Sequence, residues 1–203
     1  MASTLPDEWI LDHASGAAPM AVRVLVGCAA ELNPEIRKTV EMAEQIGHSV
    51  FTEESWRGAV PEPVENDVAW TAARRNDPVY PQALAQFGFE AGKAPWRSRL
   101  GGVQGRKINR LSEPGVDARL LNIQPGSSIP HHDHGGEELT LVLAGGFRDD
   151  AGSYHRGDVC YGEAGIEHRP VGLPGEPCIC FAVSLGGYKF RNPLMSVAAR
   201  LIT

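Results

Sequence analysis

The sequence has no long apolar run, and no basic segment followed by an apolar one near its start. A membrane-spanning helix needs about 18 or more consecutive apolar residues, and a secretory signal needs a basic segment before its apolar core. Residues 1–13 contain no Lys or Arg, so we expect a cytoplasmic protein. Cysteine is scarce, with four residues in 203, which in a reducing compartment favours free thiols or metal ligands over a disulfide framework.

The chain also lacks an excess of positive charge. Its 19 Lys and Arg against 25 Asp and Glu give a net charge of −6. Because nucleic-acid binding depends on basic side chains that neutralise phosphates, we expect no direct nucleic-acid partner. Residues 1–80 alone have a net charge of −7, and residues 81–203 have +1. The acidic region would suit a basic partner, although a solvated surface that keeps the protein soluble explains the charge equally simply.

Residues 1–50 have the apolar spacing of three short amphipathic helices. The third helix is predicted to start after the N-cap Asn33, with Pro34 at its first position, and to end at Gly47. Its apolar positions are Ile36, Val40, Ala43 and Ile46. Helices this short need one another or a partner to bury their apolar faces.

After residue 50 the pattern changes twice. Residues 51–80 combine prolines with acidic and small residues, and we interpret them as a linker with a short helix over residues 67–75. Residues 81–203 contain short β-like runs separated by Gly-rich turns, typical of a jelly-roll barrel. The predicted strands are residues 96–100, 105–111, 117–124, 138–143, 158–161, 178–184 and 188–191. The predicted fold class is therefore α+β, with a helical domain over residues 1–50 and an antiparallel β barrel over residues 81–203.

Histidines and a carboxylate cluster just before one of these strands. His132 and His134 are two residues apart, so in an extended segment both rings leave the same face. Glu138 can return to them after a Gly-Gly turn, with Glu137 as the alternative if the turn is one residue shorter. His168 is the downstream histidine suited to be a fourth ligand. Three imidazoles and a carboxylate suit zinc, iron, nickel, copper or manganese.

The segment resembles the first motif of the cupin superfamily: Gly, five residues, His-x-His, three residues, Glu, six residues, Gly. The matching residues are Gly126, His132, His134, Glu138 and Gly145. The second motif is partial, because Gly157, Gly165 and His168 fit it, whereas Glu163 stands where Pro is expected and Gly172 where Asn is expected. The resemblance implies a jelly-roll barrel in which the four candidate ligands converge on one divalent metal.

Both halves together resemble the ChrR family of anti-sigma factors. The resemblance is carried by Trp96-Arg97, Glu138–Asp149, Gly157-Asp158, Glu167-His168 and Cys178-Ile179-Cys180, and more weakly by residues 11–16. In that family a helical domain binds an extracytoplasmic-function sigma factor, and a cupin domain senses oxidative or related stress. The resemblance implies a sigma factor as the basic partner, and zinc as the first candidate metal, with iron, nickel and manganese as alternatives.

One departure from the family concerns a second zinc. Members with a zinc-binding helical domain carry a His, three residues, Cys, two residues, Cys signature. By register this chain has Cys28, Leu32 and Glu35 there. We therefore expect no zinc in the helical domain, with apolar packing as the source of its stability. His13 and Cys28 are interpreted as packed core residues.

Cys178 and Cys180 alternate along a predicted strand, so both side chains point to one face. They are either two small core residues or, as the resemblance suggests, a redox-responsive thiol pair near the metal. Cys160, on the strand that leads towards His168, can also face the barrel.

Three functions are compatible with these observations. The first is an anti-sigma regulator, which we predict and which needs no catalytic residue. The second is a metal-dependent cupin dioxygenase acting on a small molecule, with Arg119 or Arg148 as substrate-binding residue. The third is a cupin whose helical domain serves only to form a homodimer. Four protein ligands make a closed site around tetrahedral zinc but leave two positions open around an octahedral metal, so the coordination number discriminates between regulator and enzyme.

Overall fold

The computed structural model describes residues 5–50, 79–85, 87 and 96–190. In that part of the chain the helices are α1 (Asp7–Ser15), α2 (Met20–Leu32), α3 (Pro34–Val50) and α4 (Gln82–Ala85). No single described helix is long and apolar enough to cross a membrane, and α1 and α2 meet that criterion only as a pair bent by 110°. Most of the predicted linker, with its helix over residues 67–75, lies outside the described residues.

Local sequence signals explain where the first helices begin and end. Helix α1 ends at Gly16, which adopts the left-handed conformation with φ +75° and donates its backbone N–H to the His13 carbonyl. The side-chain oxygen of Asn33 accepts hydrogen bonds from the backbone N–H groups of Glu35 and Ile36, at 3.0 and 3.4 Å. Asn33 is therefore the N-cap of α3, as its position before Pro34 predicts.

The predicted end of the third helix at Gly47 is wrong, because α3 continues to Val50. A glycine inside a helix costs about 1 kcal/mol relative to alanine, which is too little to end a helix that is otherwise favourable. Ile36, Val40 and Ala43 are buried, whereas Ile46 is exposed, so the apolar face of α3 is one residue smaller than predicted.

Antiparallel strands follow the helices, as predicted. They are β1 (Arg97–Leu100), β2 (Val103–Lys107), β3 (Val116–Ile123), β4 (His132–His134), β5 (Glu138–Ala144), β6 (Gly146–Arg148), β7 (Ser153–His155), β8 (Val159–Gly162), β9 (Val171–Gly172), β10 (Cys178–Leu185) and β11 (Tyr188–Phe190). A six-stranded sheet has the order β1-β2-β3-β10-β5-β8, a three-stranded sheet the order β7-β6-β9, and β4 pairs with β11.

The sequence pattern located the long strands better than the short ones. The strand predicted over residues 105–111 starts earlier, at Val103, and ends at Lys107. Strands β4, β6, β7 and β9 have two or three residues each, too few for an alternating pattern to be recognised, and none was among the predicted strands. His155 ends β7, and its side chain is exposed.

The central strands of the large sheet are buried on both faces. In β5, Leu139, Leu141 and Leu143 belong to one apolar cluster, and Val142 belongs to another. The side chains of β10 also belong to both clusters. Phe181 lies in the cluster of the β5 leucines, and Cys180 lies in the cluster of Val142. Because side chains alternate along a strand, the sheet has an inner face, which carries Val142, and an outer face, which carries the β5 leucines.

The helices cover the outer face. The cluster that contains Leu141 and Phe181 continues into the helical region through Leu5, Trp9, Ile10, Val22, Leu25, Val26, Ala29, Ile36, Val40, Ala83 and Leu84. Helix α2 contacts β5 and β10 directly. It also holds α4, because the Glu31 carboxylate accepts the backbone N–H groups of Gln82 and Ala83, at 2.8 and 2.9 Å. The helical region and the sheet therefore share one core.

A turn of the β domain touches the junction of α2 and α3. The side-chain N–H of Asn33 donates to the carbonyl oxygen of Gly157 at 3.3 Å, while its oxygen caps α3. Gly157 has φ +90°, and a Cβ there would lie 3.1 Å from the carbonyl oxygen of Leu32. The positive φ favours glycine here, and a side chain would also crowd the Leu32 carbonyl.

We expect Gly157→Ala to destabilise the full chain more than Gly115→Ala. The two glycines have similar φ values, +90° and +84°, so each substitution carries the left-handed conformational cost of about 1–2 kcal/mol. Only the methyl group at position 157 also crowds Leu32, since nothing lies within 4 Å of the one at position 115. The extra loss in free energy of unfolding, measured in urea, should be about 1 kcal/mol or more. Equal losses would contradict a close contact between this turn and the helices.

Candidate metal centre

Strand β4 brings the first two candidate ligands together. His132 and His134 are 3% and 1% exposed, and their ring centroids are 4.9 Å apart. Pairing of β4 with β11 keeps the segment extended, and residues two apart on an extended segment face the same side. Both imidazoles therefore enter the interior from one strand.

Two glycines allow the chain to fold back closely after β4. A Cβ on Gly135 would lie 2.3 Å from the carbonyl oxygen of Gly186, and one on Gly136 would lie 2.1 Å from that of Leu185. No other residue fits at these positions, because real Cβ atoms do not come so close to backbone oxygens. The tight return brings the start of β5 beside the two histidines.

Glu138, and not Glu137, is the carboxylate that faces the histidines. Glu138 begins β5, lies opposite Gly162 of β8 and is buried. The carboxylate of Glu137 accepts a hydrogen bond from the Tyr161 hydroxyl instead. Consecutive residues on a strand point to opposite faces, so only one of the two glutamates can belong to the cluster.

His168 comes from the segment that follows β8. Its backbone pairs with that of His132 through two hydrogen bonds, from His132 N–H to the His168 carbonyl at 3.3 Å and from His168 N–H to the His132 carbonyl at 3.2 Å. This isolated bridge places the His168 ring 4.6 Å from the His132 ring and 5.1 Å from the His134 ring, between centroids.

The ligating atoms of the four residues converge. Nε2 of His168 is 3.1 Å from Nε2 of His132 and 3.1 Å from Nε2 of His134. Oε2 of Glu138 is 3.4 Å from Nε2 of His134 and 3.8 Å from Nε2 of His168. Ligands about 2.1 Å from one ion would lie about 3.4 Å apart in a tetrahedron and about 3.0 Å apart along an octahedron edge. The observed separations match such a shell.

Hydrogen bonds on the far side of two rings determine which nitrogen faces the cluster. Nδ1 of His132 lies 3.0 Å from the Pro130 carbonyl oxygen, and Nδ1 of His168 lies 3.2 Å from the Asp149 carboxylate. Both acceptors require a proton on Nδ1, which leaves a lone pair on Nε2. Burial lowers the pKa of His132 to about 4 even though Glu138 raises it, and burial also lowers the pKa of His134.

A cation therefore fits the cluster better than protons do. With protons on Nδ1 of His132 and His168, the two Nε2 lone pairs face each other at 3.1 Å, and two acceptors cannot form a hydrogen bond without a proton between them. The Glu138 carboxylate adds negative charge at the same point. One divalent metal would satisfy all four groups, and nitrogen and oxygen donors of this kind suit zinc, iron, nickel and manganese.

The thiol pair lies on the same inner face. Cys178 and Cys180 are buried, with their sulfurs 3.3 Å apart, and Cys160 belongs to the same apolar cluster. Their shared orientation agrees with the alternation of β10, while their redox role stays a prediction.

Within the described residues, the metal-ligating side chains form two groups. One is His132, His134, Glu138 and His168, and the other is Asp149, Cys160 and His168. Neither belongs to the helical region, where Cys28 lies in the apolar core and His13 lies 4.0 Å from Glu44. The expected absence of a second zinc stays a prediction.

Sequence reasoning missed Asp149. This residue follows β6 in a turn, and its carboxylate contacts His168, which is 19 positions away. An Arg-Asp-Asp sequence in a turn is common on protein surfaces and gave no sign of a buried carboxylate beside a candidate ligand.

Comparisons with known proteins agree with the geometry. A family model described as the ChrR cupin-like domain matches residues 85–186. The anti-sigma-E factor ChrR of Cereibacter sphaeroides is 31% identical over 195 residues, which cover 92% of this chain and 91% of that protein.

Two solved structures are similar to this chain to different degrees. ChrR in the crystal structure of Rhodobacter sphaeroides SigE with the anti-sigma ChrR aligns with a TM-score of 0.71 and 28% identity, over 89% of this chain and 97% of that chain. An RmlC-like cupin protein from Ralstonia eutropha aligns with a TM-score of 0.44 and 21% identity, over 52% of this chain and 71% of that chain.

We expect protein purified without added metal to retain about one transition-metal ion per chain, and His134→Gln to retain at least about tenfold less. His155→Gln is the matched control, because its ring is exposed on β7. Elemental analysis gives the stoichiometry, and X-ray absorption gives the metal and its coordination number. Equal metal content in wild type and His134→Gln would contradict the site.

Proposed function

The chain belongs to the ChrR family of anti-sigma factors, and from this membership we propose that its helical region binds an extracytoplasmic-function sigma factor. We further propose that the cupin domain binds one divalent metal, zinc first and iron, nickel or manganese as alternatives, and that it controls release of the sigma factor in response to oxidative or related stress. The cytoplasm is the proposed location.

The observation that carries the proposal is similarity over most of the chain, not over the cupin alone. The match to the SigE-bound ChrR covers 89% of this chain, and so extends beyond residues 85–186, which the cupin-like model covers. Helices α1 and α3 carry exposed acidic side chains next to exposed apolar ones. These are Asp7, Glu8, Leu11, Asp12, Glu35, Glu41, Met42, Glu44 and Ile46. Such a mixed surface suits a partner with basic and apolar patches.

We expect the full chain to form a complex with one of the extracytoplasmic-function sigma factors of its own genome when the two are expressed together. Met42→Asp should weaken that complex at least tenfold, because it puts a charge into the exposed apolar part of α3. Ile166→Asp is the matched control in the cupin domain, since Met42 and Ile166 are 61% and 57% exposed. Isothermal titration gives the two dissociation constants.

Two results would count against sigma binding. The first is that none of these sigma factors binds at micromolar concentration. The second is that Met42→Asp and Ile166→Asp weaken the complex equally, which would move the binding surface away from the helical region.

The metal would act by holding together segments that are distant in sequence. Bound as zinc with four protein ligands it would form a closed tetrahedral site. The four ligands belong to β4, β5 and the segment after β8. Of these, β5 also packs against α2 through its outer face. A stimulus that disturbs the metal shell must favour the sigma-free state by several kcal/mol to be effective.

The thiols Cys178 and Cys180 are proposed to respond only when the barrel opens. Both are fully buried, and the hydrogen bond between the two sulfurs, together with burial, raises the pKa of Cys180 well above its usual value. Cys180 is therefore a thiol, and both sulfurs are shielded from solvent in the closed protein, which makes the pair a poor target for oxidants.

If the pair senses peroxide, a variant with Cys178→Ser and Cys180→Ser should keep the sigma factor at an oxidant dose that releases it from wild type. In wild type, two thiols would be oxidised to one disulfide as hydrogen peroxide is reduced to water. Removing the metal should speed alkylation of the pair at least tenfold, because opening becomes easier without the ligand that stabilises the closed state. Cys28→Ser is the control, and release that is unchanged in the double variant would contradict the redox role.

A metal-dependent dioxygenase is the second candidate, because the same four ligands would leave two positions open around an octahedral metal. Of its two candidate substrate-binding residues, Arg119 is buried and paired with Asp117, and Arg148 is exposed at the end of β6. Arg119 is thus already paired with a carboxylate, and Arg148 lies at the surface. Steady consumption of O₂ by iron-loaded protein would favour this function over the regulator.

A further inference from the structure

His168 is the candidate ligand that no strand holds. His132 and His134 lie on β4 and Glu138 on β5, whereas His168 lies between β8 and β9 and pairs with β4 through the isolated bridge to His132. Its side chain is 12% exposed, compared with 0% for His134 and 6% for Glu138. The backbone bridge fixes where the ring is attached but not how the ring is turned, so another contact must set its orientation.

Asp149 supplies that contact, and it is itself held in place. One carboxylate oxygen, Oδ1, accepts the backbone N–H groups of Ala151 and Gly152, at 2.9 and 3.2 Å. The other, Oδ2, lies 3.2 Å from Nδ1 of His168. The side chain is only 2% exposed. The carboxylate is therefore fixed to the turn between β6 and β7 with its second oxygen directed at His168.

The surroundings keep this carboxylate an acceptor. Three donors face its oxygens, namely the backbone N–H groups of Ala151 and Gly152 and Nδ1 of His168. The Cys160 sulfur lies 3.9 Å from the same Oδ2. Burial raises the pKa of Cys160 to about 12, so that group is a thiol and approaches Asp149 as a weak donor.

We propose that Asp149 is a positioning residue of the metal centre, which holds His168 as the Nδ1–H tautomer and turns its Nε2 towards the other three ligands. Oδ1 stabilises the turn between β6 and β7, and Oδ2 orients the His168 ring. Partners of this kind fix the tautomer and orientation of metal-binding histidines. The effect on metal affinity rests on the proposed metal binding, whereas the effect on the tautomer does not.

Asp149→Asn separates the two roles. Asparagine has nearly the same size, but it has one acceptor oxygen in place of two. If that oxygen continues to accept Ala151 and Gly152, the NH₂ group faces Nδ1 of His168 and donates to it. The ring then carries its proton on Nε2, the atom that must be free to bind a metal.

Asp158→Asn is the matched control. Asp158 also caps a tight turn, accepting the backbone N–H of His155 at 2.8 Å, and it also lies near a histidine ring, at 4.0 Å from Nδ1 of His155. That ring is exposed and lies outside the cluster of candidate ligands. The control therefore removes a turn-capping carboxylate without touching the metal centre.

The experiment uses the full chain, first without metal and then with zinc. Long-range ¹H–¹⁵N spectra report the tautomer of His168, whose signals are assigned by their loss in His168→Gln. We expect Nδ1–H in wild type and Asp158→Asn, and a shift towards Nε2–H in Asp149→Asn. Competition with a chromophoric chelator should show zinc binding weakened by about 10–100-fold in Asp149→Asn and unchanged in Asp158→Asn.

The outcomes distinguish this inference from the proposed function. If Asp149→Asn lowers the melting temperature but keeps the wild-type tautomer and zinc affinity, Asp149 only stabilises its turn and the inference is overturned. If wild type binds no zinc while the tautomer still changes in Asp149→Asn, metal binding fails and the positioning role stands. An unchanged tautomer with weaker zinc binding would also overturn the inference, because the loss would then have another cause.

Discussion

The alternation of side chains along β5 is the constraint on which both parts of the molecule depend. Glu138 and Val142 face inward, whereas Leu139, Leu141 and Leu143 face the helices. A shift of the strand by one residue would turn Glu138 towards α2 and a leucine towards the histidines. An unpaired carboxylate in the apolar core would lower the free energy of unfolding by several kcal/mol. The core and the candidate metal centre therefore select the same register.

The strands on either side hold that register. β10 lies opposite β5 from Ser184 beside Glu138 to Ile179 beside Ala144, and β8 ends with Gly162 opposite Glu138. A Cβ at Gly162 would lie 3.3 Å from Cδ2 of His134, so the missing side chain leaves room for the imidazole. Strand pairing and side-chain size thus act together at the end of β5, where the ligands meet.

The convergence of the ligands could be predicted where it follows from short spacing in the sequence. His132, His134 and Glu138 are brought together by one extended segment and one glycine turn. The spacing of the two histidines and the Gly-Gly pair predict both features from the sequence. The contact of Asp149 with His168 joins two separate turns, and no local pattern encodes it. The continuous apolar character of β5 and β10 indicates burial on both faces, but it does not say that helices α1 to α3 cover one of them. The predicted end of α3 at Gly47 is wrong for a different reason. A single glycine is a local signal, and its cost is smaller than the stability of the rest of the helix, which continues to Val50.

The shared core also explains how the helical region holds together with a degenerate zinc signature. Of the three signature positions, Cys28 is buried among apolar side chains, Leu32 lies against Gly157, and Glu35 is at the surface beside Lys38. Burying a side chain such as Val22 or Leu25 contributes about 1.5–3 kcal/mol, and several of these are buried between the helices and the sheet. Apolar packing against the sheet therefore stabilises the helical region. Glu138 and α2 lie on opposite faces of the same strand, β5. In the proposed regulator, a change in the metal shell would therefore need to be transmitted only through one sheet to reach the helices.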